Sequence, residues 1–313
     1  MSHHHTASEP AASEPTGEQF VLSRGGATAV ITEVAASLRA LSIDGVDLVQ
    51  RYPDGTTPPF ASGIVLMPWP NRVADAVWTL DGGLQQLDIT EPSKHNAIHG
   101  LLRYTGYRVL ERSEDALTLG ATVFPQHGYP FHLETSVRYE LVEGGLSVSH
   151  EVRNLSSSPA PVGIGAHPFL TIGDVPTEEL VLTVHASTYF DVDARLLPHA
   201  ELPVEGTRYD LRAGARAGGL VLDTAYGAVQ PVDGAVASLR APDGREVQLV
   251  QDDQHPYVQV FTARTYPKED GPGLAIALEP MTAAPDALNS GLGLQWVHPG
   301  ATWSVGWGIR YVR

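Results

Sequence analysis

The chain has 313 residues, no cysteine, a formal charge of −16 and only two lysines, Lys94 and Lys268. Without thiols there is no cysteine nucleophile, no CxxC redox chemistry and no cysteine-ligated zinc or iron–sulfur centre. The acidic balance argues against nucleic acid or an anionic membrane surface, which require a basic patch, and so little lysine leaves a Schiff base or a GxxxxGK[ST] phosphate loop almost nothing to draw on.

The opening stretch "MSHHHTASEPAASEPTGEQ" lacks the charged-then-apolar layout of a signal peptide and reads as a tag or scar with a disordered lead-in over residues 1–19. No run of about 18 apolar residues follows, so a cytoplasmic protein is expected. From Phe20 the pattern is period two. In "HLETSVRYELV", Leu133, Thr135, Val137, Tyr139 and Leu141 alternate with His132, Glu134, Ser136, Arg138 and Glu140, which predicts a half-buried strand. "GLSVSHEVRN", "LVLTVHA" and "WSVGWGIRYV" repeat that alternation with β-branched and aromatic residues. Between such runs lie dipeptides suited to tight turns: Asp44-Gly45, Asp81-Gly82, Gly144-Gly145, Asp233-Gly234 and Asp243-Gly244. Regular turn spacing and scarce helix-period segments predict an all-β protein, a large antiparallel β-sandwich. Glycine and proline are spread along the chain rather than gathered in a linker, so a single domain over 20–313 is expected.

Four segments interrupt the alternation with clustered polar residues and prolines. "GIVLMPWPNRVADAVWTLDG" ends an apolar run on Asn71 and Arg72, and arginine's planar fork suits two neighbouring hydroxyls or a carboxylate. "SKHNAIHGLLRY" sets His95 and His99 four apart, a metal-compatible spacing on a helix. The adjacent Asn96 and Gly100 favour a loop and no HExxH motif is present, so no metal is expected there and His99 reads as a hydrogen-bonding residue. "VGIGAHPFLTIG" leads through small residues to His167, whose imidazole could project into a cleft at a strand end. "LAIALEPMTAAPDALNSG" is apolar until Glu279, and a carboxylate there is costly unless it is paired or faces a cavity.

Taken in order, Asn71-Arg72, Ile98-His99-Gly100, the "GAHP" of residues 165–168 and "LEPMTAAPDALNSG" from Leu278 resemble the aldose 1-epimerase (galactose mutarotase) family. Two looser stretches, "LVLDTAYG" around Asp223 and "VQDDQHPYVQVFTA", are similar as well. The resemblance implies a galactose mutarotase-like supersandwich with a sugar cleft and no metal or organic cofactor. It implies Glu279 as general base and His167 as general acid, with Asn71, Arg72, His99 and Asp223 at the sugar and His99 also near the reacting centre. The partner expected is a small-molecule sugar bound by a monomer or homodimer. Two positions depart from the family: Phe169-Leu170 replaces an aromatic pair, and Met281 stands where glutamine is common.

The chemistry that follows is interconversion of α and β anomers of a hexose by ring opening and closure, which requires one base and one acid. Reference pKa values near ~4.3 for a glutamate and ~6.5 for a histidine predict a bell-shaped pH profile. Two alternatives remain open. The arrangement His-Gly-x-x-Arg over 99–103 resembles the hexose-6-phosphate 1-epimerase branch and makes Arg103 a candidate anion contact for a phosphorylated or otherwise anionic sugar. A non-catalytic sugar-binding module on the same fold is the other. Glycoside hydrolysis usually needs two facing carboxylates, whereas here the acid is matched by a histidine.

Overall fold

A computed structural model describes residues 14–313. Two large antiparallel sheets carry most of the chain. The nine-stranded sheet runs in the order Arg108–Arg112, Ala116–Val123, Leu133–Val142, Gly145–Asn154, Thr302–Val312, Glu246–Gln251, Ala235–Arg240, Val181–Val184 and Ala215–Arg216. The last long strand, Thr302–Val312, thus lies in the middle of that sheet, between Gly145–Asn154 and Glu246–Gln251. The second sheet has eight strands, with Asp223–Val229, Tyr257–Lys268, Gly271–Met281 and Gly165–Ala166 side by side near its centre.

The alternation predicted for residues 133–141 is realised. Leu133, Val137, Tyr139 and Leu141 are buried while Glu134 is exposed. Burying one such side chain stabilises by about 1.5–3 kcal/mol, and a one-residue slip would turn the whole set to solvent, which fixes the register. Leu117, Val137 and Ile309 of the nine-stranded sheet share one hydrophobic cluster with Val258, Val260, Ile276 and Leu278 of the eight-stranded sheet. The two sheets therefore form a β-sandwich around a common core.

Three local expectations are corrected. The ordered chain starts before Phe20: the first strand is Gln19–Arg24, Thr16 is buried, and its carbonyl accepts from the Val34 amide at 3.0 Å. The rest of the predicted lead-in, residues 1–13, lies outside the described residues. "LVLTVHA" is two strands, not one, because Val181–Val184 belongs to the nine-stranded sheet and Ala186–Val192 to the eight-stranded one. The chain crosses between sheets at His185, whose amide donates to Val236 and whose carbonyl accepts from Gln230. The turn at Gly144-Gly145 sits one residue earlier, since Val142 pairs with Gly145 and only Gly144 takes positive φ. Gly145 is there for a different reason: a Cβ would lie 2.1 Å from the Ile309 carbonyl oxygen.

Candidate active site

Two motifs far apart in sequence become neighbours through a short antiparallel pair, Arg72–Ala74 with Asn96–Ile98, in which Arg72 lies opposite Ile98. The His99 amide then donates to the Asn71 carbonyl at 3.0 Å, and both residues take positive φ. Gly100 follows with φ 72°, where a Cβ would fall 2.0 Å from the Met67 carbonyl oxygen, so only glycine fits this close crossing. The "APDALNSG" stretch clamps the same segment from behind. Asp286 donates its amide to the Arg72 carbonyl and accepts from the Ala74 amide through Oδ1, both within 2.9 Å.

His167 sits between the short strands Gly165–Ala166 and Phe169–Leu170, both paired with Gly271–Met281, the strand that carries Glu279. Gly165 pairs with Met281, Phe169 pairs with Ala277, and between these rungs the imidazole meets the carboxylate. His167 Nε2 lies 3.3 Å from Glu279 Oε1, with both side chains almost wholly buried. The His167 ring stacks on Phe169 with centroids 5.3 Å apart, and the His99 ring meets it edge-on at 5.4 Å. Glu279 stands opposite Gln259 across the sheet.

A polar chain runs round the other side. Asn71 Nδ2 donates to Gln259 Oε1, and Gln259 Nε2 donates to Asp223 Oδ1. Asp223 Oδ2 faces Arg72 Nη2 at 3.4 Å, and Arg72 grips Glu91 with Nε and Nη2 at 2.9 and 3.0 Å. These residues, with Arg103 and Phe261, line one cavity of about 550 Å³. A volume of that order accommodates a small ligand.

Among the sequence-predicted residues, Asn71, Arg72, His99, Arg103, His167, Asp223 and Glu279 all meet at this cavity. His95 does not: it sits on the surface with Nδ1 3.2 Å from Asp75 Oδ1, turned away from His99. Among the described residues no group of three His, Cys, Asp or Glu side chains is placed to hold a metal ion. Met281 is also absent from the lining and packs instead with Phe190, Ala225 and Ala284. Met281 therefore forms no part of the cavity wall.

Two residues of the site escape sequence reasoning. Glu91 neutralises Arg72, and its only sequence signal is an acid next to Pro92 in the polar segment before His95. Gln259 offered a clearer sign, a polar residue buried between Val258 and Val260.

Four buried polar atoms of cavity residues lack a hydrogen-bond partner: Glu279 Oε2, His167 Nδ1, His99 Nδ1 and Arg103 Nε. Buried polar groups are normally satisfied, so this concentration of unpaired donors and acceptors makes the cavity the candidate site for a hydrogen-bonding ligand. Burial, reinforced by Asp223, pushes the Glu279 carboxyl well above its ordinary range, with Arg72 opposing. Burial also lowers His167 to about 3, and Arg103 and Arg72 push the same way. His99 falls well below its ordinary value through burial and the charges of His167, Arg103 and Arg72. Burial thus favours the uncharged form of both groups, a protonated Glu279 carboxyl and a neutral His167 imidazole.

A family model described as Aldose 1-epimerase matches residues 18–310. The chain belongs to the aldose 1-epimerase family. It is an isomerase of the aldose 1-epimerase type, on the galactose mutarotase-like β-sandwich. Its sequence is 29% identical over 286 residues to the uncharacterized protein YihR of Escherichia coli (strain K12), covering 91% of this chain and 90% of that one. The solved GalM/aldose epimerase homologue from C. elegans superposes with a TM-score of 0.82 at 18% identity, covering 95% of this chain and 99% of that one. The galactose 1-epimerase from Lactobacillus acidophilus NCFM superposes with a TM-score of 0.76, also at 18% identity, covering 94% of each chain. No described helix of this aldose 1-epimerase family member is long and apolar enough to cross a membrane.

Proposed function

We propose that the protein interconverts the α and β anomers of a hexose, with Glu279 and His167 moving the protons. The observation that carries this reading is the 3.3 Å approach of His167 Nε2 to Glu279 Oε1 at the wall of a cavity of about 550 Å³. Ring opening needs one acceptor and one donor that close together. The Glu279 carboxylate takes the proton of the C1 hydroxyl, and the oxygen's electrons form the C1 carbonyl. The C1–O5 bond breaks with its pair going to O5, which takes the His167 proton. Rotation about C1–C2 exposes the other carbonyl face, and the same steps in reverse close the ring.

The electrostatics support this direction of travel. Opening converts a carboxylate–imidazolium pair into a carboxylic acid and a neutral imidazole, the distribution that burial itself favours. The low-dielectric pocket thus helps the ring-opening step, and the polar sugar supplies the hydrogen bonds that the charged pair needs at the outset. Arg72, His99, Asp223 and Asn71 hold the remaining hydroxyls in this reading. Glu91 and Asp223 keep the Arg72 fork in place.

Anomer exchange followed by saturation-transfer NMR tests the proposal. Glu279→Gln and His167→Asn should each lower the enzymatic rate by about 10²–10⁴-fold, the usual contribution of a positioned acid or base. Wild-type rates in both variants, or hexose binding without any gain in exchange by the unaltered protein, would overturn it.

A further inference from the structure

The Arg72 fork is closed by Glu91, and Glu91 is itself held from outside the cavity. Its carboxylate accepts from Arg72 at both oxygens, and Oε2 also accepts from Asn96 Nδ2 at 3.2 Å. Main-chain bonds tie the same two residues together, with the Glu91 amide donating to the Asn96 carbonyl at 2.9 Å. Asn96 is wholly buried, so its side-chain amide must find protein partners at both ends. Its Oδ1 accepts from Arg195 Nη2 at 3.1 Å, and its Nδ2 also donates to the Arg195 carbonyl at 3.2 Å.

Arg195 lies 99 residues from Asn96 in sequence, in the turn that joins Ala186–Val192 to Pro198–Pro203. Asp193 shapes that turn, its Oδ1 accepting from the amides of Arg195 and Leu197. The guanidinium donates to the Lys94 and His95 carbonyls, to Asn96 Oδ1 and to Asp75 Oδ1, all within 3.1 Å. Lys94 returns the contact, donating from Nζ to the Ala194 carbonyl at 2.7 Å.

A guanidinium can only donate and a carboxylate can only accept. An amide set between them has one satisfactory orientation, oxygen toward Arg195 and nitrogen toward Glu91. Reversed, it would put oxygen against oxygen at Glu91 and nitrogen against nitrogen at Arg195. Arg195 thus fixes which end of Asn96 faces Glu91, and the donor at that end fixes the carboxylate that holds Arg72. Given the sugar contact proposed above for Arg72, we infer that Arg195 is a positioning residue for it, acting through Asn96 and Glu91 from a turn that does not line the cavity. A plain brace for the fold needs the contacts at the Lys94 and His95 carbonyls but not the side-chain relay to Glu91. Hydroxyls held by Arg72 keep their place while C1 reacts, so misplacing Arg72 weakens substrate and transition state alike. The expected signature is a raised KM with little change in kcat.

Two readouts test the relay. The first needs no substrate: hydrogen exchange of the Arg72 Nε–H, followed by proton–nitrogen NMR and assigned by its loss in Arg72→Lys. Arg195→Met should speed that exchange about 3–10-fold, the scale of one ordinary hydrogen bond, and Arg195→Lys, which can still donate to Asn96 Oδ1, should recover part of the loss. The second is anomer exchange of D-glucose and D-galactose by saturation-transfer NMR. Arg195→Met should raise KM about 3–10-fold with kcat within about twofold of wild type, and in a Glu91→Gln background it should add less than about twofold. Thermal melts verify folding, and Arg195→Gln, too short to reach Asn96, replaces Arg195→Met in both readouts if the latter does not fold. Unchanged Arg72 exchange overturns the inference whatever the activity. So do an unchanged KM, a fall confined to kcat, or an undiminished loss in the Glu91→Gln background. A wild-type protein that accelerates exchange of neither hexose counts against the acid–base reading instead, and the Arg72 Nε–H measurement then decides the positioning role alone.

Discussion

The molecule contains two deeply buried histidines with nearly the same electrostatics and opposite surroundings. His150, on Gly145–Asn154, and His167 are both lowered to about 3 by burial. His150 accepts a hydrogen bond from Trp307 Nε1 at 3.0 Å inside the nine-stranded sheet's packed face and lines none of the cavities described above. His167 has no hydrogen-bond partner at Nδ1, faces a carboxylate at 3.3 Å through Nε2 and opens on the cavity. A perturbed pKa alone therefore does not single out the candidate catalytic imidazole from one packed into the core. The distinction lies in unsatisfied hydrogen-bonding capacity directed at empty space beside a second titratable group.

The largest expected effect separates the two histidines by activity. His167→Asn should cost about 10²–10⁴-fold in anomer exchange, whereas His150→Leu should leave the rate within about twofold of wild type, since His150 touches nothing at the cavity. Equal losses in both variants would erase the contrast. Acid denaturation reverses the ranking of interest. His150 is neutral when folded and gains a proton when unfolded, so its contribution is intact above about pH 6.5. It is lost as pH falls toward about 3, at up to about 1.36 kcal/mol per pH unit. In His150→Leu, urea midpoints measured between pH 7 and pH 4 should fall less steeply than in the wild type, and an unchanged slope would mean that His150 is already charged when folded.

A smaller effect tests the support beneath the site. Glu91→Gln removes the charge that holds the Arg72 fork and should lower kcat/KM by about 10-fold, the low end for hydrogen bonds to charged groups. No change would show that Asp223 alone fixes Arg72. The smallest concerns the pH–rate profile. A lone carboxylate would place the acid limb near ~4.3. With Glu279 protonated and His167 neutral, the acid limb is instead the protonation of His167 and should lie about one unit lower, near 3. The alkaline limb, loss of the Glu279 proton, is moved upward by the burial of Glu279. An acid limb at the ordinary carboxylate position would show that the two groups titrate separately.

Much of the fold was legible because period two is local: each strand carries its own record of which face is buried, as residues 133–141 do. The catalytic candidates were legible for a related reason, since Glu279 and His167 stand out as polar residues ending apolar or small-residue runs. Other features depended on pairings that a single segment does not contain. Glu91 matters only because Arg72–Ala74 lies against Asn96–Ile98 and brings Arg72 within reach of it. Gln259 matters through its place opposite Glu279. The crossing at His185 is invisible because nothing within Val181–Val184 or Ala186–Val192 says which sheet supplies its partners. Met281 follows the site in sequence yet packs into an apolar cluster apart from the cavity lining.

The place of Thr302–Val312 in the middle of the nine-stranded sheet has a consequence for biosynthesis. Until that segment leaves the ribosome, Gly145–Asn154 and Glu246–Gln251 each expose an unpaired strand edge that only it can cover. The sheet consequently closes late, through contacts more than 150 residues apart such as Ser149 with Gly306, and translation pauses upstream of residue 302 would prolong exposure of two adhesive edges. C-terminal truncation should thus yield aggregation rather than a smaller folded protein.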